Sequence, residues 1–156
     1  MQNQYSMEKL VKYKKIGFMP GSWDLCHAGH ILGFKEARAH CDKLIVGLQV
    51  DPSVDRKDKN KPIMSVEERR IILEGIRYID EIVEYKTESD NADLVKKIKP
   101  DIYFMGADWK GRDSWHIHFM DVLGISIHYL KRDHDYSSSN LRKKIYFEEK
   151  KGVHNQ

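Results

Sequence analysis

The sequence predicts a single α/β domain, Rossmann-like, with a parallel five-stranded sheet and helices on both faces. Three observations carry that prediction. Five short strand-like runs recur along the chain: Ile16–Met19, Leu44–Val50, Glu81–Tyr85, Ile102–Met105 and Ser126–Leu130. Helical stretches separate them, and strand–helix alternation is the pattern of a parallel sheet covered by helices. The chain has 156 residues, enough for one hydrophobic core. The domain is expected over residues 13–148, with 1–12 and 149–156 as flexible tails.

Each helix has a local reason. Ile31, Phe34, Ala37 and Cys41 form an amphipathic stripe after the first strand. Ser65-Val-Glu-Glu68 reads as a capping box opening a helix whose buried face includes Ile72, Leu73, Ile76 and Ile79. Asp90 is expected to cap the next helix, which ends at Lys99-Pro100 because the residue before proline disfavours the helical region. A further helix falls within residues 112–123, and the last runs from about Ser138 to Lys150.

Composition narrows the function classes. There are 27 basic and 24 acidic residues, a formal charge of +3, and no run of lysine and arginine forms a basic arm, so no nucleic acid partner is expected. Cys26 and Cys41 are the only cysteines, which excludes a disulfide framework and suggests a reducing compartment. Residues 1–14 contain no signal-peptide core, and no apolar run is long enough to span a bilayer. The expectation is a cytoplasmic protein without membrane insertion.

In a parallel sheet of this type, ligands bind at the carboxyl ends of the strands. Four unusual loops fall there. The first, Gly21-Ser-Trp-Asp-Leu-Cys-His-Ala-Gly-His30, places His27 and His30 on one face of a starting helix, with Gly29 leaving room between them. A helix start offers unpaired N–H groups that favour phosphate; the alternatives are a zinc pair or ordinary surface histidines. Loop 51–64 carries Arg56, Lys57, Lys59 and Lys61, either as a lid bringing ammonium groups onto phosphates or as a solvated loop offset by Asp51, Asp55 and Asp58. Ser137-Ser-Ser139, with Arg132 upstream, is a second phosphate cradle or a plain helix cap. Asp108 and Trp109 could meet a base, or be a turn residue and a core residue. Asp24 could orient a histidine, sit near a metal–phosphate complex, or form a turn. No Walker loop, Ser-His-Asp arrangement or carboxylate pair stands out. The inventory of donors and cations suits displacement at phosphorus by an acceptor that is already an anion.

These motifs, in this order, resemble the small nucleotidyltransferases typified by glycerol-3-phosphate cytidylyltransferase. The family's H-x-G-H is matched by His27-Ala-Gly-His30, its R-Y-V-D-E-V-I by Arg77-Tyr-Ile-Asp-Glu-Ile-Val83, and its G-D-D-W by Gly106-Ala-Asp-Trp109. Its R-T-x-G-I-S-T-T corresponds loosely to Arg132-Asp-His-Asp-Tyr-Ser-Ser-Ser139. The resemblance implies His27, His30, Lys59, Lys61 and Arg132 as catalytic groups. It implies Ser22, Trp23, Asp24, Gly29 and Arg77 at the nucleotide, joined by Gly106, Asp108, Trp109, Ser137, Ser138 and Ser139. Magnesium would arrive with CTP, near Asp24, and not on protein ligands alone. The acceptor would be a small phosphorylated molecule, glycerol 3-phosphate by default, and the protein a homodimer. Two other readings are an adenylyltransferase of the same fold, acting on a sugar phosphate or pantetheine-like phosphate, and a nucleotide-binding module without turnover. The chain departs from the family at Ala107, at Asp133 to Tyr136, and at Glu88, where glycerol-phosphate enzymes carry tryptophan. Trp115, His116 and His118 are expected on a solvent-exposed helix, and His134 has no assigned role.

Overall fold

The computed structural model describes residues 13–153. Five strands form one parallel sheet: β1 (Ile16–Gly21), β2 (Lys43–Gln49), β3 (Glu81–Tyr85), β4 (Ile102–Met105) and β5 (Ser126–Tyr129). The helices among the described residues are α1 (Ala28–Ala39), α2 (Val66–Glu74), α3 (Glu88–Ile98), α4 (Trp115–Leu123) and α5 (Ser138–Val153), with a 3₁₀ turn at Ala107–Trp109. The strand order is β3-β2-β1-β4-β5. The chain steps outward from β1 through β2 and β3, then crosses to the other side of β1 for β4 and β5. The order reverses between β1 and β4, and the crevice at that point is where such sheets receive ligands.

Alternation of side chains splits the core in two. Leu44, Val46 and Leu48 of β2 and Ile102 and Phe104 of β4 face one side, where Phe34 and Ala37 of α1 and Leu73 of α2 cover them. Ile16 and Phe18 of β1, Ile45 of β2 and Tyr103 and Met105 of β4 face the other, under Val95 and Ile98 of α3 and Met120 of α4. Every residue of β2 is buried, as a strand covered on both faces requires, whereas the edge strands β3 and β5 are half-buried. At the amino ends of the strands two carboxylates close the sheet. Asp101 Oδ2 accepts from the Ile16 amide at 2.8 Å and Asp80 Oδ2 from the Leu44 amide at 2.7 Å.

Several boundaries differ from expectation. β1 continues to Gly21 because its pairing with β2 extends through Gly21 opposite Leu48. Thr87, not Asp90, caps α3: its hydroxyl accepts from the Asp90 amide at 3.2 Å, while the Asp90 carboxylate returns to the Thr87 amide at 2.9 Å. The Ser65–Glu68 box forms as expected, but α2 stops at Glu74, so Ile76 and Ile79 pack on the core from the following turn. α5 runs to Val153, so residues 149–153 of the expected tail are helical. Residues 1–12 and 154–156 lie outside the described residues.

Candidate active site

The turn between β1 and α1 is held in an unusual backbone shape. Trp23 (φ 57°) and Leu25 (φ 49°) are left-handed, which costs roughly 1–2 kcal/mol for each side-chain-bearing residue. Neighbouring elements enforce it. Trp23 is buried and its Nε1 donates to the Gly47 carbonyl at 2.8 Å. Asp24, 6% exposed, accepts from the Ile63 and Met64 amides at 2.9 Å each and from Arg142 Nη2 at 2.8 Å. The Asp24 carboxylate therefore ties loop 51–64 and α5 to this turn. These are the contacts of a turn residue, and the Asp24 charge also reaches His30, where it opposes the fall in pKa.

The turn delivers His27 as the cap of α1 and His30 three residues on. Their rings stack with centroids 3.9 Å apart. His27 Nδ1 accepts from the Gly29 amide at 3.0 Å, and His30 Nδ1 accepts from the His27 amide at 3.2 Å. A ring nitrogen that accepts a hydrogen bond carries no proton, so in each neutral ring the proton sits on Nε2. The zinc reading fails on this point, because a metal-bound Nε2 requires its Nδ1 to be a donor. The surroundings also favour the neutral form of both rings. Burial and the adjacent His27 push His30 down to about 4. His27 is lowered by burial, then by His134 and Arg132. With the Gly29 and His30 amides already taken within the cap, the start of α1 presents imidazole N–H groups where the sequence suggested free backbone amides.

These donors open into a cavity of about 480 Å³ at the carboxyl edge of the sheet, a volume usual for small-molecule sites. It straddles the sheet. On the α1 side it is bordered by Ser22, Trp23, His27, Gly29 and His30, with Lys59 from the loop and Arg132, Ser137 and Ser138 from the segment after β5. Gly106, Asp108 and Trp109 border it from the β4 turn. Twelve of the sixteen site residues expected from sequence are thus brought together.

Four are not: Asp24, Lys61, Arg77 and Ser139. Lys61 is exposed beyond the cavity wall. Arg77 precedes β3, at the amino end of the sheet, with its guanidinium 5.4 Å from the Tyr78 ring. The neighbouring Asp80 of the same motif closes the sheet, so this segment is structural where the structure shows its contacts. Ser139 is exposed on the outer side of α5, whose cap is Ser137, its hydroxyl accepting from the Asn140 amide at 3.1 Å.

Sequence reasoning missed other members. Arg69, 2% exposed, donates to the carbonyls of Ser22, Gln49, Val50, Met64 and Ser65, stitching the ends of β1 and β2 to the loop. On the α3–α4 side, His116 is 7% exposed and borders the cavity, correcting the expected exposed helix; His118 does lie outside, on Asp113. His116 Nε2 donates to Glu88 at 3.1 Å, and Arg56 Nε lies 3.5 Å from the same carboxyl group. Burial raises the Glu88 pKa, but His116 and Arg56 outweigh it and hold it below the usual range. Trp115 stacks on His116 at 4.0 Å. Among the described residues no three or more His, Cys, Asp or Glu side chains gather to hold a metal, and no helix is long and apolar enough to cross a membrane.

Comparison with known proteins agrees with this geometry. The cytidylyltransferase-like family model matches residues 18–144. Glycerol-3-phosphate cytidylyltransferase of Staphylococcus aureus is 34% identical over 126 residues, covering 81% of this chain and 91% of that protein. The bifunctional protein HldE of Campylobacter concisus is 41% identical over 101 residues, 64% of this chain, and the chain spans only about a fifth (21%) of its length. Among solved structures, the lipopolysaccharide core biosynthesis protein of Thermoplasma volcanium superposes with a TM-score of 0.65 at 27% identity, over 78% of this chain and 98% of that one. Pantothenate synthetase of Thermus thermophilus, 14% identical with a TM-score of 0.58 over 88% of this chain and 65% of that one, shares the fold. The two histidines, the cavity above the β1–β4 crossover and the match over most of the domain lead to one conclusion: the chain belongs to the cytidylyltransferase-like family of nucleotidyltransferases.

Proposed function

We propose that the protein transfers CMP from CTP to a small phosphorylated acceptor, with glycerol 3-phosphate the first candidate, and releases pyrophosphate. The observation that carries this reading is the His27–His30 pair, two imidazoles that accept backbone bonds at Nδ1, keep the ring N–H on Nε2 and border a cavity shared with Lys59 and Arg132. A phosphate monoester loses its second proton near pH ~6, so the acceptor attacks without a general base. The chemistry needs donors, which these histidines are, and not proton acceptors. An acceptor oxygen forms the new bond to the α-phosphorus as the bond to the bridging oxygen breaks, and that electron pair leaves with pyrophosphate.

His27 and His30 would stabilise charge on the α-phosphoryl oxygens, while Lys59 and Arg132 hold the two repelling anions together. The Ser138 amide, which has no protein partner among the described residues and borders the cavity, suits an outer phosphate. Magnesium would enter on the nucleotide and neutralise part of its charge. The Asp24 carboxylate is committed to Ile63, Met64 and Arg142, which fits an ion carried by phosphate oxygens. Asp108, at the cavity edge, would accept from the cytosine amino group.

A specific observation favours a second reading, an adenylyltransferase of the same fold acting on a sugar phosphate. Glu88 stands where glycerol-phosphate enzymes carry tryptophan, and its carboxylate on the cavity wall suits hydroxyl groups better than an indole does. Pyrophosphate release in magnesium, across four nucleoside triphosphates and a panel of small phosphates, tests both. Release with CTP and glycerol 3-phosphate supports the first reading. Release with ATP and a sugar phosphate supports the second. No release with any pair leaves a binding module without turnover.

A further inference from the structure

His134 lies on the segment joining β5 to α5 and borders the cavity. Its Nδ1 accepts from the Tyr136 amide at 3.3 Å, and its ring stacks on Tyr136 with centroids 5.0 Å apart. In the neutral ring the proton is therefore on Nε2, which has no protein partner among the described residues. The ring leans over the start of α1. A Cβ built on Gly29 would lie 2.8 Å from His134 Cε1 and 2.9 Å from His27 Cε1. Both imidazoles thus converge on the one residue of the first helical turn that has no side chain to keep them apart.

The same device recurs at three rings. In His27, His30 and His134 a backbone amide occupies Nδ1 and leaves Nε2–H as the outward group. Two of these rings come from the start of α1 and the third from the segment between β5 and α5, packed over Gly29. Arg132, two residues before His134, brings a fixed positive charge to the same border. Among the described residues no group accepts from these Nε2–H donors, and a chain of phosphate oxygens would.

We propose that His134 is a third phosphate-binding donor, completing with His27 and His30 a set of three imidazoles that share one hydrogen-bond arrangement around the phosphate chain of the nucleotide. The inference rests on the nucleotidyltransferase reading and adds to it a residue outside the H-x-G-H motif. It also gives Gly29 a specific purpose, which is to let two donors from different elements reach one ligand.

The test uses the full chain and inorganic pyrophosphate as probe, with binding measured by calorimetry for wild type, His134→Ala, His134→Gln and His27→Ala. His134→Ala is expected to weaken pyrophosphate binding on the order of tenfold, the effect of losing one hydrogen bond to a charged group. His134→Gln, whose side-chain amide can replace Nε2–H, should recover most of that loss. Nitrogen-15 spectra of the ligand-free protein should show Nδ1 unprotonated in all three rings. If His27→Ala weakens binding and His134→Ala does not, the role of His134 is overturned and the nucleotidyltransferase reading stands. A loss that glutamine does not recover, or a protonated His134 Nδ1, overturns it as well. Wild-type protein that binds neither pyrophosphate nor CTP overturns both.

Discussion

Replacing Arg69 with methionine removes the cation that holds the floor of the site, while filling much the same volume. Its guanidinium donates to the Ser22, Gln49 and Val50 carbonyls at 2.7, 2.7 and 2.6 Å, and through Nε to Met64 and Ser65 at 3.1 and 3.3 Å. Ser65 keeps another donor, the Arg69 amide, so its carbonyl is not orphaned. A buried carbonyl left unpaired costs about 1–3 kcal/mol, and removing the buried guanidinium returns part of its desolvation cost. The net loss is about 3–5 kcal/mol, the range for breaking a buried charged network. At about 2–4 °C per kcal/mol for a chain of this length, Tm should fall by about 10 °C. Ser22 and loop 51–64 lose a common anchor, so the KM for nucleotide should rise as well. Arg69→Lys keeps the charge, but one ammonium cannot span five carbonyls, and the variant should melt between the two. Thermal unfolding by circular dichroism reads all three proteins. A methionine variant within about 2 °C of wild type, or a lysine variant equal to it, would refute the network argument.

Stability should also depend on pH through His30. Its folded pKa, about 4, lies below the unfolded value near ~6.5, so its contribution is complete above ~6.5 and is lost as pH falls towards the folded value. From about pH 7.5 to about pH 5, above the carboxylate range, the loss should be ~2 kcal/mol in urea titrations and should shrink in His30→Gln. Lys59→Ala should raise the KM for a phosphorylated substrate on the order of tenfold, whereas Lys61→Ala, outside the cavity, should leave steady-state kinetics nearly unchanged. Equal losses in both would show that the loop closes further than its present position. Gly29→Ala should leave Tm nearly unchanged, since a helix preference of up to ~1 kcal/mol offsets a lost His27 cap of about 1 kcal/mol, while displacing His27 and His134 and lowering turnover on the order of a hundredfold. Unchanged turnover would mean the rings have room to move.

The strands and the loops at their carboxyl ends were legible because period-two apolar runs and glycine-bounded turns are local properties. His27 and His30 were legible for the same reason. Arg69 was not, since an arginine inside an amphipathic helix looks like surface charge until the carbonyls it binds arrive from three other segments. His116 left a signal: it lies four residues before Met120, on the buried face of α4, so helical spacing could have placed it inward. For Arg77, position held the warning, since it precedes a strand and ligands gather at the carboxyl ends of strands. Lys59 and Lys61 are two residues apart on an irregular loop, and no periodicity tells which one faces the cavity. The neutrality of the histidines lies beyond sequence altogether, because it follows from burial and from amides that reach Nδ1 only in the folded turn.

The central claim is that His27 and His30 stabilise the transferred α-phosphoryl group as neutral donors. Single-turnover pyrophosphate release from CTP, with an acceptor in saturating amount, tests it directly in wild type, His27→Ala and His30→Ala. Each variant should lose on the order of 10²–10³ in rate while remaining folded by circular dichroism. Near-wild-type rates in either folded variant would contradict the account.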